Sequence, residues 1–255
     1  MSVYDLLELS RCDVYFSDIS GEAFKSPRQY MHALLEQSLR HLEENPMASE
    51  SYEEASEDYR ALRVLQTNST RYTSASDEDR FLLFNDDMRF GNMIVDDDYN
   101  ILAIIDWEFC YAAPSSFLES PPTWLIGSEP FEWEGIQEYE RRLQMFLELL
   151  EDEENAAGLD CRLSTSMRRS WADGTFWYNV AAREPLLLSK IMKHCWHFFP
   201  DTLSSCDRED FGKNKMKQRS EFLALQELSD APKKDLELQK PLSPEQDIPT
   251  LRSDT

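Results

Sequence analysis

Apolar residues recur at the spacing of an α-helix in two stretches of the first third of the chain. The first stretch begins at Pro27, where Ser26 can cap the helix N-terminus, and the second runs from Tyr52 to Gln66. The apolar face of the first stretch contains Tyr30, Met31, Leu34, Leu35, Leu39 and Leu42. We expect both helices to support a core, and the Ser-, Thr- and Asp-rich residues 67–80 to form a loop.

Helical spacing returns in the second half of the chain. Residues 136–153 form an amphipathic pattern, and Ser164 can cap a further helix that stops near Gly174. A third helical pattern covers residues 176–196, and Pro185 should kink or divide it. We interpret the dense aromatic residues of this region as core and not as a cofactor platform.

A short polar segment separates these helical regions. Apolar residues 81–84 lead into Asn-Asp-Asp at 85–87, and apolar runs at 93–95 and 101–105 flank an acidic turn. Two β-rich runs joined by turn residues predict a hairpin. The proline-rich residues 108–135 are expected to form an irregular, partly buried segment near a pocket. The predicted fold is therefore mainly α with a small β-hairpin.

The hairpin should bring three polar side chains together. Asn92 and Asp106 lie at its outer ends, and Asp87 lies five residues before Asn92. Phosphoryl transfer uses a carboxylate to accept the substrate hydroxyl proton and oxygen ligands to hold Mg²⁺ against the nucleotide phosphates. The spacing predicts Asp87 as the catalytic base, with Asn92 and Asp106 as ligands of Mg²⁺. Single aspartates are typical of solvated turns, but Asp106 ends an apolar strand, where an unpartnered carboxylate would be costly.

Four segments together form a recognisable pattern: NDDMRFGNMIVDDDYNILAIIDWEFCYAAP at 85–114, PPTWLI at 121–126, and the stretches 139–154 and 167–183. They resemble the fungal aminoglycoside phosphotransferase-like family, which is related to choline kinases. The resemblance covers roughly residues 29–199. It implies the helical C-terminal lobe of the protein kinase-like fold, with ATP and Mg²⁺ as cofactors and a small-molecule hydroxyl as phosphate acceptor.

The family's loop has the form H-G-D-x-x-x-x-N followed by I-D-W/F-E, and this chain departs from it in two places. Asn85 stands where the family has histidine, so we expect one orienting hydrogen bond to be lost, and Asp86 replaces the glycine. The resemblance assigns the base to Asp87, because only this carboxylate has the required spacing to the loop asparagine. It also implies that Arg89 faces the transferred phosphoryl group and that Glu108 lies near the metal.

A complete enzyme of this class has an N-terminal β-rich lobe that covers the nucleotide and contributes a lysine. The residues before Asp87 have helical patterns, contain no glycine-rich loop, and include Lys25 as their only lysine. We therefore expect the N-terminal β lobe to be missing and activity to be weak or absent, because positioning supplies most of the catalysis.

The resemblance implies that residues 1–203 are the kinase-like lobe. From the composition we expect residues 204–228 to form a polar helix or linker, and the charged residues 229–255 to be a disordered tail. The net charge of -23 disfavours nucleic acid and anionic membranes as partners. Without a signal-peptide pattern or a long apolar run, we expect a cytoplasmic protein.

Three functional hypotheses remain open. The first is ATP- and Mg²⁺-dependent phosphoryl transfer, impaired by the missing lobe. The second is a catalytically inactive pseudoenzyme or module that binds an unknown protein partner. The third is an unrelated metal-dependent hydrolase, which lacks the usual histidine and carboxylate spacing. A metal at His194 and His197 is a weak alternative, and Glu129, Glu132 and Glu134 are more typical of a solvated loop than of a cation site.

Overall fold

The computed structural model describes residues 23–73, 80–160, 162–201 and 203–230. Within these residues the chain is mainly helical and carries two small antiparallel sheets of two strands each. The predicted fold class, mainly α with a small β-hairpin, is confirmed at this level. The expected disordered tail lies almost wholly outside the described residues.

The helices are α1 (Pro27–Glu44), α2 (Tyr52–Tyr72), α3 (Ser115–Leu118), α4 (Gln137–Ala156), α5 (Leu163–Asp173), α6 (Thr175–Arg183), α7 (Leu188–Met192) and α8 (Ser205–Asp230). The strands are β1 (Phe81–Asn85), β2 (Met93–Val95), β3 (Ile101–Ile104) and β4 (Cys110–Pro114). Short 3₁₀ turns occupy Phe90–Asn92, Thr123–Ile126, Pro130–Glu132, Pro185–Leu187 and Trp196–Phe198.

Helices α1 and α2 form the first layer of the core, as expected. Ser26 caps α1 by accepting a hydrogen bond from the backbone N–H of Gln29 at 3.2 Å. The predicted apolar positions of α1 are buried, except for the half-buried Tyr30. The loop prediction for residues 67–80 is wrong at its start, because α2 continues to Tyr72.

Aromatic packing explains the extra length of α2. The ring of Tyr72 stacks on Tyr178, with 4.9 Å between centroids, and meets Phe199 edge-on at 5.4 Å. Its hydroxyl donates to the carbonyl of Phe198 at 3.1 Å. These contacts with distant residues stabilise a final helical segment that local composition disfavours.

The aromatic residues of the second half form the centre of the core. Trp133, Tyr139, Phe176 and Trp177 are each no more than 2% exposed, which confirms the interpretation as core. Pro185 divides the third helical pattern into α6, a 3₁₀ turn and α7, as predicted.

Of the two helix boundaries predicted in this region, one is confirmed and the other is wrong. Gly174 ends α5 as predicted, and its φ of +87° is a left-handed conformation that favours glycine. The predicted Ser164 cap is wrong, because α5 begins at Leu163 and Ser164 lies within its first turn. The carboxylate of Glu154 instead accepts hydrogen bonds from the N–H and hydroxyl of Ser164.

The polar helix α8 packs along α2. Gly212 permits the close approach, because a Cβ there would collide with Ser56 and the ring of Tyr52. Lys215 of α8 is 2% exposed and donates to the carbonyl of Glu43, near the end of α1, at 3.1 Å. The linker alternative for this segment therefore does not describe the structure, in which residues 205–230 are helical.

Strand β1 pairs with β4, with Phe84 opposite Tyr111. This pairing corrects the expectation that residues 108–135 are irregular, because their first part forms an ordered strand. Strands β2 and β3 form the predicted hairpin, with Met93 opposite Ile104. Among the described residues, no helix has the length and apolar character needed to cross a membrane.

We predict that Asp58→Asn stabilises the protein at alkaline pH. Asp58 is 5% exposed and accepts from the N–H of Ser189 at 3.0 Å. Burial raises its pKa from 3.8 to about 7, so the folded state binds the proton more tightly than the unfolded state. Stability is therefore lost as the pH rises towards the folded-state pKa. The variant's gain in unfolding free energy should be about 2 kcal/mol larger at pH 8.5 than at pH 5.5.

Urea unfolding at the two pH values measures this difference. Asp152→Asn, at an exposed position of α4, is the matched control and should show no pH-dependent gain. An equal effect of Asp58→Asn at both pH values would contradict the assignment.

Candidate functional site

The segment from Asp86 to Asn92, which we call the Asp87 loop, is held between the two small sheets. At its start, the N–H of Asp86 donates to the carbonyl of Phe109 at 3.3 Å, extending the β1–β4 pairing. At its end, the carbonyl of Asn92 accepts from the N–H of Ile105 at 3.0 Å, extending the hairpin. Both ends of the loop are therefore fixed by backbone hydrogen bonds.

The side chain of Asn92 holds the loop closed across the predicted D-x4-N spacing. Its Nδ2 donates to the backbone carbonyl of Asp87 at 2.7 Å and to the Asp87 carboxylate at 3.2 Å. Asn92 is 5% exposed, and its own N–H donates to the carbonyl of Arg89. Because Nδ2 makes these bonds, Oδ1 is the atom of this side chain that could ligate a metal ion.

Arg89 lies beside Asp87, with 3.3 Å between Nε and the carboxylate Oδ1. The Arg89 side chain is 59% exposed and that of Asp87 is 31% exposed. Such an exposed pair adds at most about 1 kcal/mol to stability. The arrangement places a positive charge at the predicted base.

Asn85 occupies the position where the resembling family has histidine. Its Oδ1 accepts from the N–H of Asp87 at 3.1 Å, forming an Asx-type turn. The expected loss of an orienting bond is therefore offset by a different hydrogen bond, which fixes the backbone of the predicted base. The Nδ2 atom of Asn85 is buried and makes no hydrogen bond within the described part of the chain.

Asp86 has a role unlike that of its neighbour Asp87. Its buried carboxylate forms an ion pair with Arg183 and accepts from the hydroxyl of Tyr111 at 3.1 Å. Burial alone would raise the pKa of Asp86, but Arg183 and the Tyr111 hydrogen bond outweigh it and hold the pKa below its ordinary value. Asp86 thus anchors the loop to α6.

Sequence reasoning did not select Arg183 or Tyr111. The sequence gives one indication of Arg183 only. It is a basic residue shortly before Pro185, where the helical pattern of residues 176–196 is expected to divide. Neither residue lies near Asp86 in sequence, so the buried network became visible only in the fold.

Asp106 follows the hydrogen bond between Ile105 and Asn92 directly, which places it at the open end of the hairpin. Its φ of +62° is a left-handed conformation that is uncommon outside glycine and is more frequent at functional sites. The residue is exposed, so the expectation of a burial constraint at Asp106 is wrong. Glu108 is also exposed, in the turn before β4.

The described residues contain no group of three or more His, Cys, Asp or Glu side chains that could hold a metal. A metal ion at this loop would therefore depend on a mixed set, the amide oxygen of Asn92 and the carboxylate of Asp106. His194 stacks on Trp177, and the ring of His197 lies tilted against Phe198, with 4.1 Å between centroids. Glu129, Glu132 and Glu134 are exposed.

The hairpin beside the loop exposes an unusual number of large apolar side chains. They are Ile94, Val95, Tyr99, Ile101, Leu102, Ile105 and Trp107. Contiguous exposed apolar surface is typical of an interaction site.

No protein-family model, curated protein or solved structure matches this chain. The family resemblance of the Asp87 loop therefore remains a prediction.

We predict that Arg183→Met destabilises the protein by about 3 kcal/mol, because it leaves the buried Asp86 carboxylate without its charged partner. The double variant Asp86→Asn/Arg183→Met should cost less than the sum of the two single variants, by about 1 kcal/mol or more. Chemical denaturation of the four proteins measures this coupling.

Arg89→Met, which breaks the exposed pair of the same loop, is the matched control and should cost less than about 1 kcal/mol. Equal effects of the Arg183 and Arg89 substitutions would show that Asp86 is not a buried anchor.

Proposed function

We propose that the Asp87 loop is a magnesium–nucleotide site of the phosphotransferase type, in a helical lobe related to the protein kinase-like fold. The observation that carries this proposal is the pair of hydrogen bonds from Asn92 to the carbonyl and carboxylate of Asp87. They hold the D-x4-N spacing of a phosphotransferase loop in a closed conformation.

The side chains have distinct chemical roles in this proposal. Asp87 accepts the proton of the acceptor hydroxyl, and Arg89 offsets negative charge next to it. The amide oxygen of Asn92 and the carboxylate of Asp106 are hard oxygen ligands, which fit Mg²⁺. When bound, Mg²⁺ supplies positive charge against the nucleotide phosphates.

The surroundings of the site support weak turnover. Asp106 and most large side chains of the hairpin are exposed in the part of the chain that the structure describes. Phosphoryl transfer depends mainly on positioning and on exclusion of water. We therefore propose nucleotide binding as the primary retained property, with slow transfer to a small-molecule hydroxyl.

A second candidate is a pseudoenzyme that binds a protein partner. The exposed apolar side chains of the hairpin favour it, since they would be buried in such a complex. This candidate needs neither Mg²⁺ nor Asp106.

We predict that the purified chain binds magnesium–ATP with micromolar affinity and that Asp106→Asn weakens binding by about tenfold or more. The physical reason is the loss of an anionic oxygen ligand. Isothermal titration calorimetry with and without Mg²⁺ measures both effects.

Asp97→Asn removes one carboxylate from the exposed turn of the same hairpin and is the matched control. It should leave affinity unchanged. Binding that is equally affected by both substitutions would indicate general electrostatics, and undetectable binding would favour the partner-binding candidate.

A further inference from the structure

The β2–β3 hairpin exposes apolar side chains on both of its faces. Successive residues of a strand point to opposite faces of a sheet. Ile94 and Val95 are successive residues of β2, and they are 46% and 44% exposed. Their partners across the hairpin, Ala103 and Ile101, are exposed as well. Within the described residues, the outer part of the hairpin is therefore covered on neither face.

A hairpin of this size needs additional packing. Strands β2 and β3 have three and four residues, and in the described part of the chain they pair only with each other. A hairpin of two strands is marginally stable by itself in water, because it has little apolar surface to bury. A polypeptide that covers its apolar side chains would supply the burial that a third strand or a helix usually provides. These properties are typical of a docking element.

The tip of the hairpin presents an aromatic ring to solvent. Tyr99 is 85% exposed, and its φ of +63° is a left-handed conformation that is uncommon outside glycine. Its N–H donates to the carbonyl of Asp96 at 3.0 Å, so the turn fixes the backbone that carries the ring. Tyrosine is enriched at protein interfaces, where its ring supplies apolar contact area and its hydroxyl a hydrogen bond.

The hairpin and the chain that follows it carry charge of one sign. Residues 90–140 contain eleven Asp and Glu residues and no Lys, Arg or His. At the tip, hydrogen bonds from the side-chain amide and N–H of Asn100 hold the pKa of Asp96 below its ordinary value. At the base, Asp106 and Glu108 are exposed. Among the described residues, no basic side chain forms an ion pair with any of these three carboxylates.

These charges decide between the possible occupants of the hairpin. In a pair formed with a second copy of the chain, two hairpins would lie tip against tip or tip against base. Both ends are acidic, so carboxylates would face carboxylates in either orientation, which is unfavourable. A segment with basic residues would instead meet charges of opposite sign at both ends of the apolar surface.

We propose that the β2–β3 hairpin is a docking surface for a basic, apolar segment of another protein. Apolar side chains of that segment contact the exposed Ile94, Ile101 and Leu102, and its Lys and Arg side chains lie against the carboxylates of the tip and the base. The inference rests on the partner-binding candidate of the proposed function and names the chemistry of the partner. It requires neither nucleotide nor Mg²⁺.

Three fluorescent peptides of about ten residues test this chemistry, with alternating lysine and valine, lysine and serine, or glutamate and valine. Fluorescence anisotropy titration of the full chain at about 0.15 M salt, which screens distant charges, gives the three dissociation constants. The lysine–valine peptide should bind about tenfold more tightly than the lysine–serine peptide, because it alone of the two has apolar side chains to bury. It should also bind about tenfold more tightly than the glutamate–valine peptide, which carries charge of the wrong sign.

One pair of variants tests the apolar contact. Leu102→Ser should weaken binding of the lysine–valine peptide by about fivefold, because a side chain buried in the complex is lost. Leu149→Ser on α4 is the matched control and should leave the affinity unchanged, since Leu102 and Leu149 are both 66% exposed. Both leucines lie outside the core, and circular dichroism checks that the variants are folded.

A second pair of variants tests the position of the charges. Asp97→Asn/Asp98→Asn at the tip should weaken binding by about fivefold. Asp152→Asn/Glu153→Gln removes the same number of charges from exposed positions of α4 and should leave the affinity unchanged. The two double variants have equal net charge, so a difference between them reports where the peptide binds.

The proposal is overturned if the lysine–valine peptide does not bind, if it binds no better than the lysine–serine peptide, or if the hairpin variants and their α4 controls have equal affinities. Equal affinity for the glutamate–valine peptide, with binding still weakened by Leu102→Ser, would overturn the basic character of the partner and retain the partner-binding candidate. Sedimentation equilibrium of the full chain tests the other occupant, because a dimer that Leu102→Ser dissociates would replace the proposed partner with a second copy. Nucleotide and Mg²⁺ are absent and Asp106 is unchanged throughout, so the outcome is independent of the magnesium–ATP experiment.

Discussion

The ion pair between Asp86 and Arg183 connects the candidate site to the helical core. A carboxylate that is only 6% exposed needs a charged or hydrogen-bonding partner to remain ionised, and Asp86 has both in Arg183 and Tyr111. The pair joins the end of β1 to α6. The loop and the small β1–β4 sheet therefore share one structural anchor.

This anchor separates the functions of two adjacent aspartates. Asp86 is directed into the core, whereas Asp87 is partly exposed and contacts Arg89 and Asn92. The two adjacent aspartates are therefore not equivalent. Asp86 is an internal tether, and the carboxylate of Asp87 stays partly exposed at the surface.

Patterns that depend on local periodicity predicted much of the fold. The apolar faces of α1, α2 and α4, the β2–β3 hairpin and the break at Pro185 follow from spacing within one segment. Pairing over long distances could not be derived in this way. Strand β4 was missed because its partner β1 lies on the other side of the hairpin, and α2 was predicted too short because the packing of Tyr72 involves residues beyond 170.

In the candidate site, too, contacts within one segment could be predicted and contacts between distant segments could not. The D-x4-N spacing predicted the contact between Asp87 and Asn92, since both residues belong to one loop. It could not predict the ion pair from Asp86 to Arg183, 97 residues away, or the left-handed backbone and exposure of Asp106. The cap at α5 was misassigned because Glu154, on the preceding helix, takes the hydrogen bonds of Ser164.

We propose that the Asp87 loop is a preformed site for a divalent cation and nucleotide. Paramagnetic broadening by Mn²⁺, which occupies oxygen-ligand sites like those of Mg²⁺, tests it at the level of single residues. With ATP present and Mn²⁺ well below the protein concentration, the amide signals of Asn92 and Asp106 should broaden first. Broadening that begins instead at the acidic turn, residues 96–98, or that is spread evenly over the acidic surface would contradict the claim.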